Sequence, residues 1–218
     1  SAKPASLKRP AARLTSAMKA DGAPLHALLL AGGHSRRMGQ NKAQLLYQGK
    51  TQLARTIELL QQLDIPQSLS LRQDQSLPEE ARGAGIEVIL DRDDLQNVGP
   101  LGGILSAFAE KPTAPLLVLA CDLPFLDTQT IEHLLANRSQ NQLATAYRSN
   151  HDGLPEPLCA IWEPHGQDFL KQKFDKNIRC PRKILIQGDT NLLNLPFPDA
   201  LDNINTPEEY QEALARIS

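Results

Sequence analysis

The sequence lacks a strong excess of either charge, a cysteine-rich pattern and any long apolar run. Its formal net charge is −2 over 218 residues, which argues against general nucleic-acid affinity, since that affinity rests on a basic excess. The three cysteines, Cys121, Cys159 and Cys180, lie far apart, so the sequence indicates neither a disulfide framework nor a zinc site. No apolar stretch approaches the ~18 residues of a membrane span. We therefore expect a cytoplasmic protein with reduced thiols that binds neither nucleic acid nor membrane.

Residues 1–24 differ in composition from the rest of the chain. They contain five basic residues, one acidic residue and three prolines, and the chain begins at Ser1 rather than at methionine. We interpret this segment as a tag remnant and a basic linker, rich in proline and alanine, from a domain upstream in a longer protein. A transit peptide is the alternative, because the segment is poor in acids. Residues 25–218 are predicted to form one domain.

Short apolar runs alternate with helical patterns from residue 25 onward. The predicted strands are 25–31, 68–72, 86–91, 114–122, 143–148 and 157–162, with two further candidates at 183–187 and 201–205. The predicted helices are capped by Thr51 and Thr128 or start at residues 99 and 206. This alternation predicts an α/β protein with a Rossmann-like, three-layer fold and a mostly parallel twisted sheet.

Ligands of such sheets bind beyond the carboxyl ends of the strands. The residues that directly follow predicted strands are therefore the first candidates for a site. They are Gly32, Gly33, Arg72, Asp91 and Asp122.

The loop LAGGHSRRMGQNK, residues 30–42, follows the first predicted strand. It contains Arg36, Arg37 and Lys42 but no acidic residue, and its spacing fits neither a Walker loop nor the dinucleotide fingerprint. Glycines at a strand end let backbone N–H groups approach phosphates, and three nearby cations add to that attraction. The loop therefore predicts a polyphosphate site; a solvated basic loop after a glycine turn is the alternative.

Three further positions carry candidate chemistry. Asp122 ends the most apolar predicted strand, where a carboxylate beside a phosphate loop suits Mg²⁺; a turn or cap aspartate is the alternative. Asp91 precedes the glycines of GPLGG, residues 99–103, which would admit a flat ligand, although a simple helix start explains them equally. Asn203 and Asn205 occupy alternate positions and so share a face if the segment is extended; a turn is the alternative.

The motifs occur together in a familiar order. LAGG-x-S-x-R-M-G-x-x-K is followed by Asp91 with GPLGG, then CDLPF (121–125), PEPLCAIW (155–162) and NINTPEE (203–209). This series resembles the molybdenum cofactor guanylyltransferases, the MobA-type nucleotidyltransferases, over residues 26–216. The cytidylyl relatives usually have Leu-Ala-Ala-Gly at the start, whereas this chain has Gly32. GPLGG, PEPL and the asparagine pair favour the guanylyl branch.

The resemblance implies a nucleotidyltransferase fold that binds GTP as substrate with Mg²⁺. Phosphates would be held by Arg37 and Lys42, with Arg36 as a further clamp, and Mg²⁺ by Asp122. Lys42, Asp122 and Arg37 are the predicted catalytic residues. The nucleotide-binding residues are predicted to be Leu30, Ala31, Gly32, Gly33, Arg36, Lys42, Asp91, Gly103 and Asp122.

The resemblance further implies transfer of GMP from Mg-GTP to the phosphate of molybdopterin, with release of pyrophosphate. Asn203 and Asn205 would help to seat the pterin. Partners would be the molybdopterin substrate and either other molybdenum-cofactor proteins or a fused upstream domain.

One departure from the family pattern concerns base recognition. The family often has an asparagine after the second strand that contacts guanine, and here Ser70 or Arg72 would have to replace it. Two alternatives therefore stay open: a nucleotidyltransferase that uses CTP or a sugar phosphate, and a non-catalytic nucleotide-binding domain that regulates a fused partner.

Overall fold

A computed structural model describes residues 19–20, 23–31 and 42–217, and of residues 19–20 the backbone alone. Seven strands form the main sheet, in the order β11-β9-β10-β8-β3-β6-β7, and two short two-stranded ladders, β1-β2 and β4-β5, accompany it. The strands are β1 Lys19–Ala20, β2 Ala23–Pro24, β3 His26–Leu30, β4 Leu46–Tyr47, β5 Lys50–Thr51, β6 Gln67–Leu71, β7 Glu87–Leu90, β8 Leu116–Ala120, β9 Ala144–Arg148, β10 Pro155–Trp162 and β11 Thr190–Leu193. All neighbours in the main sheet pair in parallel except β10, which is antiparallel to both β8 and β9. The predicted mostly parallel sheet is confirmed.

Seven α-helices lie in the described residues. They are α1 Gln52–Gln62, α2 Glu79–Gly83, α3 Pro100–Glu110, α4 Thr128–Ala136, α5 Gln167–Asp175, α6 Pro181–Gln187 and α7 Pro207–Ile217. None of these helices has the length and apolar character needed to cross a membrane.

Side chains on the two faces of the sheet enter separate cores. Along β3, Leu29 belongs to one buried cluster with α1 and α4, while Leu28 belongs to another with α3, α5 and α6. The strand β8 alternates in the same way and is buried along its whole length. A central strand covered on both faces reads as a continuous apolar run, so the three layers predicted from the sequence are present.

Local capping explains where two helices begin. Thr51 caps α1 as predicted, since its side chain accepts a hydrogen bond from the N–H of Ala54. The cap of α4 lies one residue before the predicted Thr128, since the side chain of Asp127 accepts the N–H of Thr130. Both residue types make good N-caps, so the sequence alone does not decide between adjacent candidates.

The two further strand candidates were wrong. Residues 183–187 lie in the helix α6, where Pro181 occupies the first turn and Ile184 and Leu185 are both buried; adjacent buried residues do not alternate as in a strand exposed on one face. Residues 201–205 are irregular, and the strand that completes the sheet is β11, before them.

The order of the strands reverses direction at β3, the first strand of the main sheet. From β3 the chain proceeds to β6 and β7 on one side, then returns to β8 on the other. Leu30 pairs with Ala120 of β8 and with Ser70 of β6. The carboxyl ends of these strands therefore meet at a topological switch point, where open α/β sheets bind ligands.

The last helix packs against the β4-β5 hairpin rather than against the main sheet. Leu45, Tyr47, Ile204 and Ala213 form the buried core of this contact. The ring of Tyr210 meets that of Tyr47 edge to face, with centroids 5.4 Å apart, and its hydroxyl donates to the Leu46 carbonyl at 2.7 Å. This docking fixes the segment before α7 at the carboxyl edge of the sheet.

The opposite edge carries a histidine that is held neutral. His26 Nε2 lies 2.6 Å from Ser68 Oγ, which donates to Glu87 at 3.0 Å. Burial and then the charge of Lys111 lower the pKa of His26 to about 4, against the smaller opposing effect of Glu87.

The lowered pKa of His26 predicts acid sensitivity. Between pH 6.5 and pH 4 the unfolded chain binds a proton at this histidine that the folded chain does not bind, so the free energy of unfolding falls through this group as the pH drops. Urea denaturation of His26→Gln at about pH 7.5 and about pH 4.5 should show a smaller loss than wild type. The control is His165→Gln, at an exposed position; equal losses in all three proteins would contradict the assignment.

The close packing of α3 on the sheet predicts that Gly103 cannot be enlarged. A Cβ there would lie 2.5 Å from Ser70 Oγ and 2.9 Å from Leu30 Cδ2. Gly103→Ala should lower the free energy of unfolding by about 1–3 kcal/mol, even without nucleotide. Gly83→Ala is the matched control, because a Cβ at that position meets nothing within 4 Å. Equal urea midpoints for the two variants would show that packing does not require the glycine.

Candidate active site

Three distant parts of the chain meet at the ammonium group of Lys42. Lys42 Nζ lies 3.0 Å from Asp122 Oδ2 and donates to Asn205 Oδ1 at 2.7 Å. These partners are 80 and 163 residues away in sequence. The side chains of Lys42 and Asp122 are 18% and 23% exposed, so the pair is partly shielded yet open to a ligand.

Each of the three residues sits at the end of a secondary-structure element. Lys42 begins a short 3₁₀ turn, Lys42–Gln44, and Asp122 follows β8 by two residues. Asn205 precedes α7 by two residues. Asp122 thus lies just beyond the carboxyl end of β8, and the docked last helix brings Asn205 to the same lysine.

The amide of Asn205 has only one possible orientation. An ammonium group donates and cannot accept, so the oxygen of Asn205 must face Lys42. Its nitrogen then donates to Asn203 Oδ1 at 2.9 Å. The NH₂ group of Asn203 is consequently turned away from Asn205, where it can donate to an oxygen of a bound ligand.

The loop that carries Asp122 is held from behind by a residue that the sequence analysis missed. Gln52, which is 4% exposed, donates to the carbonyl of Leu123 at 3.1 Å. The same amide nitrogen lies 3.3 Å from Thr56 Oγ1 one turn along α1. A buried carbonyl gains from such a partner, and the bond fixes the backbone next to Asp122. A glutamine and a threonine spaced i, i+4 on an apolar helix face are the available sequence signal.

A second group surrounds Asp91 at the ends of β6 and β7. Asp91 is 6% exposed, and its Oδ1 has no hydrogen-bond partner among the described residues. Burial raises the pKa of Asp91, while the charge of Arg72 and a hydrogen bond from Ser70 lower it. Ser70 also faces Gly103 across the packed helix. The two residues named in the sequence analysis as replacements for the missing asparagine therefore both lie beside Asp91.

Leu30 lies in the sheet between the strand that leads to Asp122 and the strand that carries Ser70. It pairs in the sheet beside Ala120, two residues before Asp122, and beside Ser70. Ala31 follows it and is buried. Arg72 itself lies within 2.9 Å of Asp74, so its charge is shared with that carboxylate. The predicted residues Gly32, Gly33, Arg36 and Arg37 lie outside the described residues, and their roles stay predictions.

The chain matches the family of MobA-like NTP transferase domains over residues 27–187. The molybdenum cofactor biosynthesis bifunctional protein of Synechocystis is 35% identical over 190 residues, which are 86% of this chain and 53% of that protein. The chain thus spans about half the length of that relative. The molybdenum cofactor guanylyltransferase of Shewanella frigidimarina is 31% identical over 208 residues, covering 89% of this chain and 97% of the relative.

A solved structure shows the same fold at lower sequence similarity. The molybdopterin-guanine dinucleotide biosynthesis protein A of Archaeoglobus fulgidus aligns with a TM-score of 0.70 at 22% identity, over 88% of this chain and 98% of that one. The family match covers most of the chain, and the Shewanella relative aligns over nearly its full length. The chain is a member of the MobA-like NTP transferase domain family.

Proposed function

We propose that this chain transfers GMP from Mg-GTP to the phosphate of molybdopterin, forming the guanine dinucleotide and releasing pyrophosphate. The observation that carries the proposal is the contact of Lys42 with Asp122 and Asn205 at the switch point of the sheet. This contact brings together two parts of the predicted site. Lys42 and Asp122 suit the phosphates of a nucleotide, and Asn205 belongs to the predicted binding site for the acceptor. The names of the Synechocystis and Shewanella relatives support the same reaction.

The residues of the site fit Mg²⁺. This ion binds proteins through one or two carboxylates and completes its shell with water and substrate phosphates, and Asp122 offers a partly exposed carboxylate at a strand end. When bound there, Mg²⁺ would neutralise charge on the phosphate oxygens. Asp122 is therefore the proposed metal ligand.

The reaction needs positioning more than proton transfer. The second ionisation of a phosphate monoester has a pKa near 6, so the acceptor is largely a dianion at neutral pH. One of its oxygens attacks the α-phosphorus of GTP, and the bond from that phosphorus to the oxygen bridging the β-phosphate breaks. Lys42 would stabilise the charge that develops on the departing pyrophosphate. Arg36 and Arg37 are proposed to hold the triphosphate.

Asp91 supports guanine as the base. Guanine presents N1–H and N2–H₂ donors side by side, whereas cytosine and adenine present one donor beside an acceptor. A buried carboxylate whose Oδ1 lacks a partner among the described residues suits the guanine edge. We propose that Asp91 accepts these donors, with Leu30 and Ala31 beside the nucleotide and Gly103 allowing Ser70 to sit next to the carboxylate.

Asn203 and Asn205 are proposed to face the acceptor. The orientation fixed by Lys42 directs the NH₂ group of Asn203 away from Asn205, which suits an oxygen of the pterin or of its phosphate.

We also propose that the reaction takes place in the cytoplasm, where the free thiols of Cys121, Cys159 and Cys180 stay reduced. A fused partner, as the name of the bifunctional relative suggests, and a linker role for residues 1–24 remain proposals.

The roles of Lys42 and Asp122 predict large kinetic losses with a preserved fold. Lys42→Ala should lower kcat about 10²–10³-fold, since a preorganised charge at a developing anion is lost. Asp122→Ala should lower kcat by at least as large a factor. Pyrophosphate release with GTP, Mg²⁺ and molybdopterin measures both. Lys50→Ala, which removes an exposed lysine paired with Glu58, is the matched control. Rates within a few-fold of wild type for the first two variants would remove these residues from the mechanism.

The proposed role of Asp91 predicts selection of GTP. Competition between GTP, CTP and ATP for kcat/KM should favour GTP by roughly tenfold to a hundredfold, because cytosine or adenine turns an acceptor toward one oxygen of the buried carboxylate and leaves that oxygen unpaired, which costs about 1–3 kcal/mol. Asp91→Asn should narrow this preference by presenting a donor to the guanine donors. If CTP equalled or exceeded GTP, the guanylyl proposal would fall, while the roles of Lys42 and Asp122 would stand.

A further inference from the structure

The carboxylate of Glu209 accepts hydrogen bonds from two successive backbone groups before the last helix. Its Oε2 lies 2.6 Å from the nitrogen of Asn205 and 3.1 Å from that of Thr206. The N–H of Glu209 donates in return to Thr206 Oγ1 at 3.2 Å. The bonds between Thr206 and Glu209 form a capping box. The bond to Asn205 extends it by one residue, into the candidate active site.

Asn205 is thereby fixed at both ends. Glu209 holds its backbone, and Asn203 accepts its amide nitrogen at 2.9 Å. The other polar atom of its side chain, Oδ1, is the one that accepts from Lys42. A shift of the Asn205 backbone would carry this oxygen with it, because the amide is joined to the backbone by a short side chain.

Lys42 depends on that oxygen for its position. A lysine ammonium is a compact charge on a flexible four-carbon stem, so one acceptor restrains its distance but not its direction. Asp122 and Asn205 approach it from different parts of the chain. With both acceptors in place, the ammonium has a defined location between the carboxylate and the amide.

We propose that Glu209 is a positioning residue for Lys42, acting through Asn205. The kinetic part of this inference rests on the proposed function, whereas the structural part does not. Glu208 offers the comparison within the same turn. Both acids lie in the first turn of α7, where either interacts favourably with the helix dipole, but Glu208 is exposed. If positioning matters, only the loss of Glu209 should affect Lys42. If the charge near the helix end matters, loss of either acid should have the same effect.

Side-chain NMR of the whole chain without nucleotide tests the structural part. The ¹⁵N-labelled lysine ammonium signals are recorded, and that of Lys42 is assigned by its loss in Lys42→Arg. The Lys42 signal should be slow to exchange in wild type and should shift or disappear in Glu209→Ala. It should persist in Glu208→Ala, and in Glu209→Gln, whose Oε1 can still accept from Asn205. An unchanged signal in Glu209→Ala would overturn the proposal.

Steady-state kinetics test the consequence for turnover. Glu209→Ala should lower kcat by about tenfold to a hundredfold, because small misplacements of a catalytic group are costly. The loss should fall more on kcat than on the KM for GTP, because Arg36 and Arg37 are proposed to share the binding of the triphosphate with Lys42, whereas Lys42 stabilises the charge that develops in the transition state. Glu209→Gln should recover most of the rate. Equal losses in Glu208→Ala and Glu209→Ala would point to helix charge and contradict positioning.

Thr206→Ala separates positioning from loss of helix stability. This change removes the cap of the Glu209 N–H but leaves Glu209 able to accept from Asn205. It should lower the melting temperature about as much as Glu209→Ala while retaining the Lys42 signal and kcat. If Thr206→Ala also removed the Lys42 signal and lowered kcat, Glu209 would have only a structural role. Should wild type transfer no GMP to molybdopterin, the proposed function would fall and the NMR result would still decide the inference.

Discussion

The geometry of the ion pair between Lys42 and Asp122 depends on a third residue, Asn205, which lies far from both in the sequence. A cation and a carboxylate that are partly exposed attract each other only modestly in water, and a lysine side chain loses rotamer freedom when it is held. The amide of Asn205 supplies the second acceptor that fixes the geometry. That amide is available only because Tyr47, Ile204 and their neighbours dock the last helix on the β4-β5 hairpin. The arrangement of the site therefore follows from packing some distance away from it.

Two polar groups with different chemistry share the carboxyl edge of the sheet. One contains Lys42 and Asp122, in reach of solvent, and suits phosphates and a metal ion. The other contains Asp91, which is buried and suits the donors of a base. Leu30 lies between them in the sheet, between Ala120 and Ser70. An extended nucleotide fits such a division, since its charged and aromatic ends need opposite environments.

Much of the fold could be predicted because β3 and β8 are largely apolar runs, because β6 alternates serine with leucine, and because Thr51 and Thr206 cap the helices that follow them. The helix α6 could not be distinguished from a strand by its short apolar run, and β11 alternates too weakly to be recognised. For the site, the strand ends indicated Asp91 and Asp122. The contact between Lys42 and Asn205 could not be predicted, because it depends on how α7 docks and not on any local pattern. The role of Gln52 could not be predicted for the same reason, because its hydrogen bond to the Leu123 carbonyl depends on the tertiary packing of that loop against α1.

The antiparallel strand β10 determines which further turn lies at the carboxyl edge of the sheet. Because it runs opposite to β8 and β9, its first residues and the last residues of β9 emerge at the edge that carries Asp122. The turn between them is tied to the segment before α7, with His151 2.9 Å from Asp202 and Asn150 donating to the Pro198 carbonyl at 2.7 Å. Reversal of one strand thus brings this turn to the same edge of the sheet as Asp122.

The docking of α7 also bears on where the domain ends. The family match stops at residue 187, yet Asn205 and Glu209 lie beyond it. A chain shortened to the matched region would keep every strand of the sheet except β11 and would keep both members of the ion pair. It would lose the amide that orients the lysine and would expose Leu45 and Tyr47 to water. The folded unit of this protein is therefore longer than the segment that matches the family model.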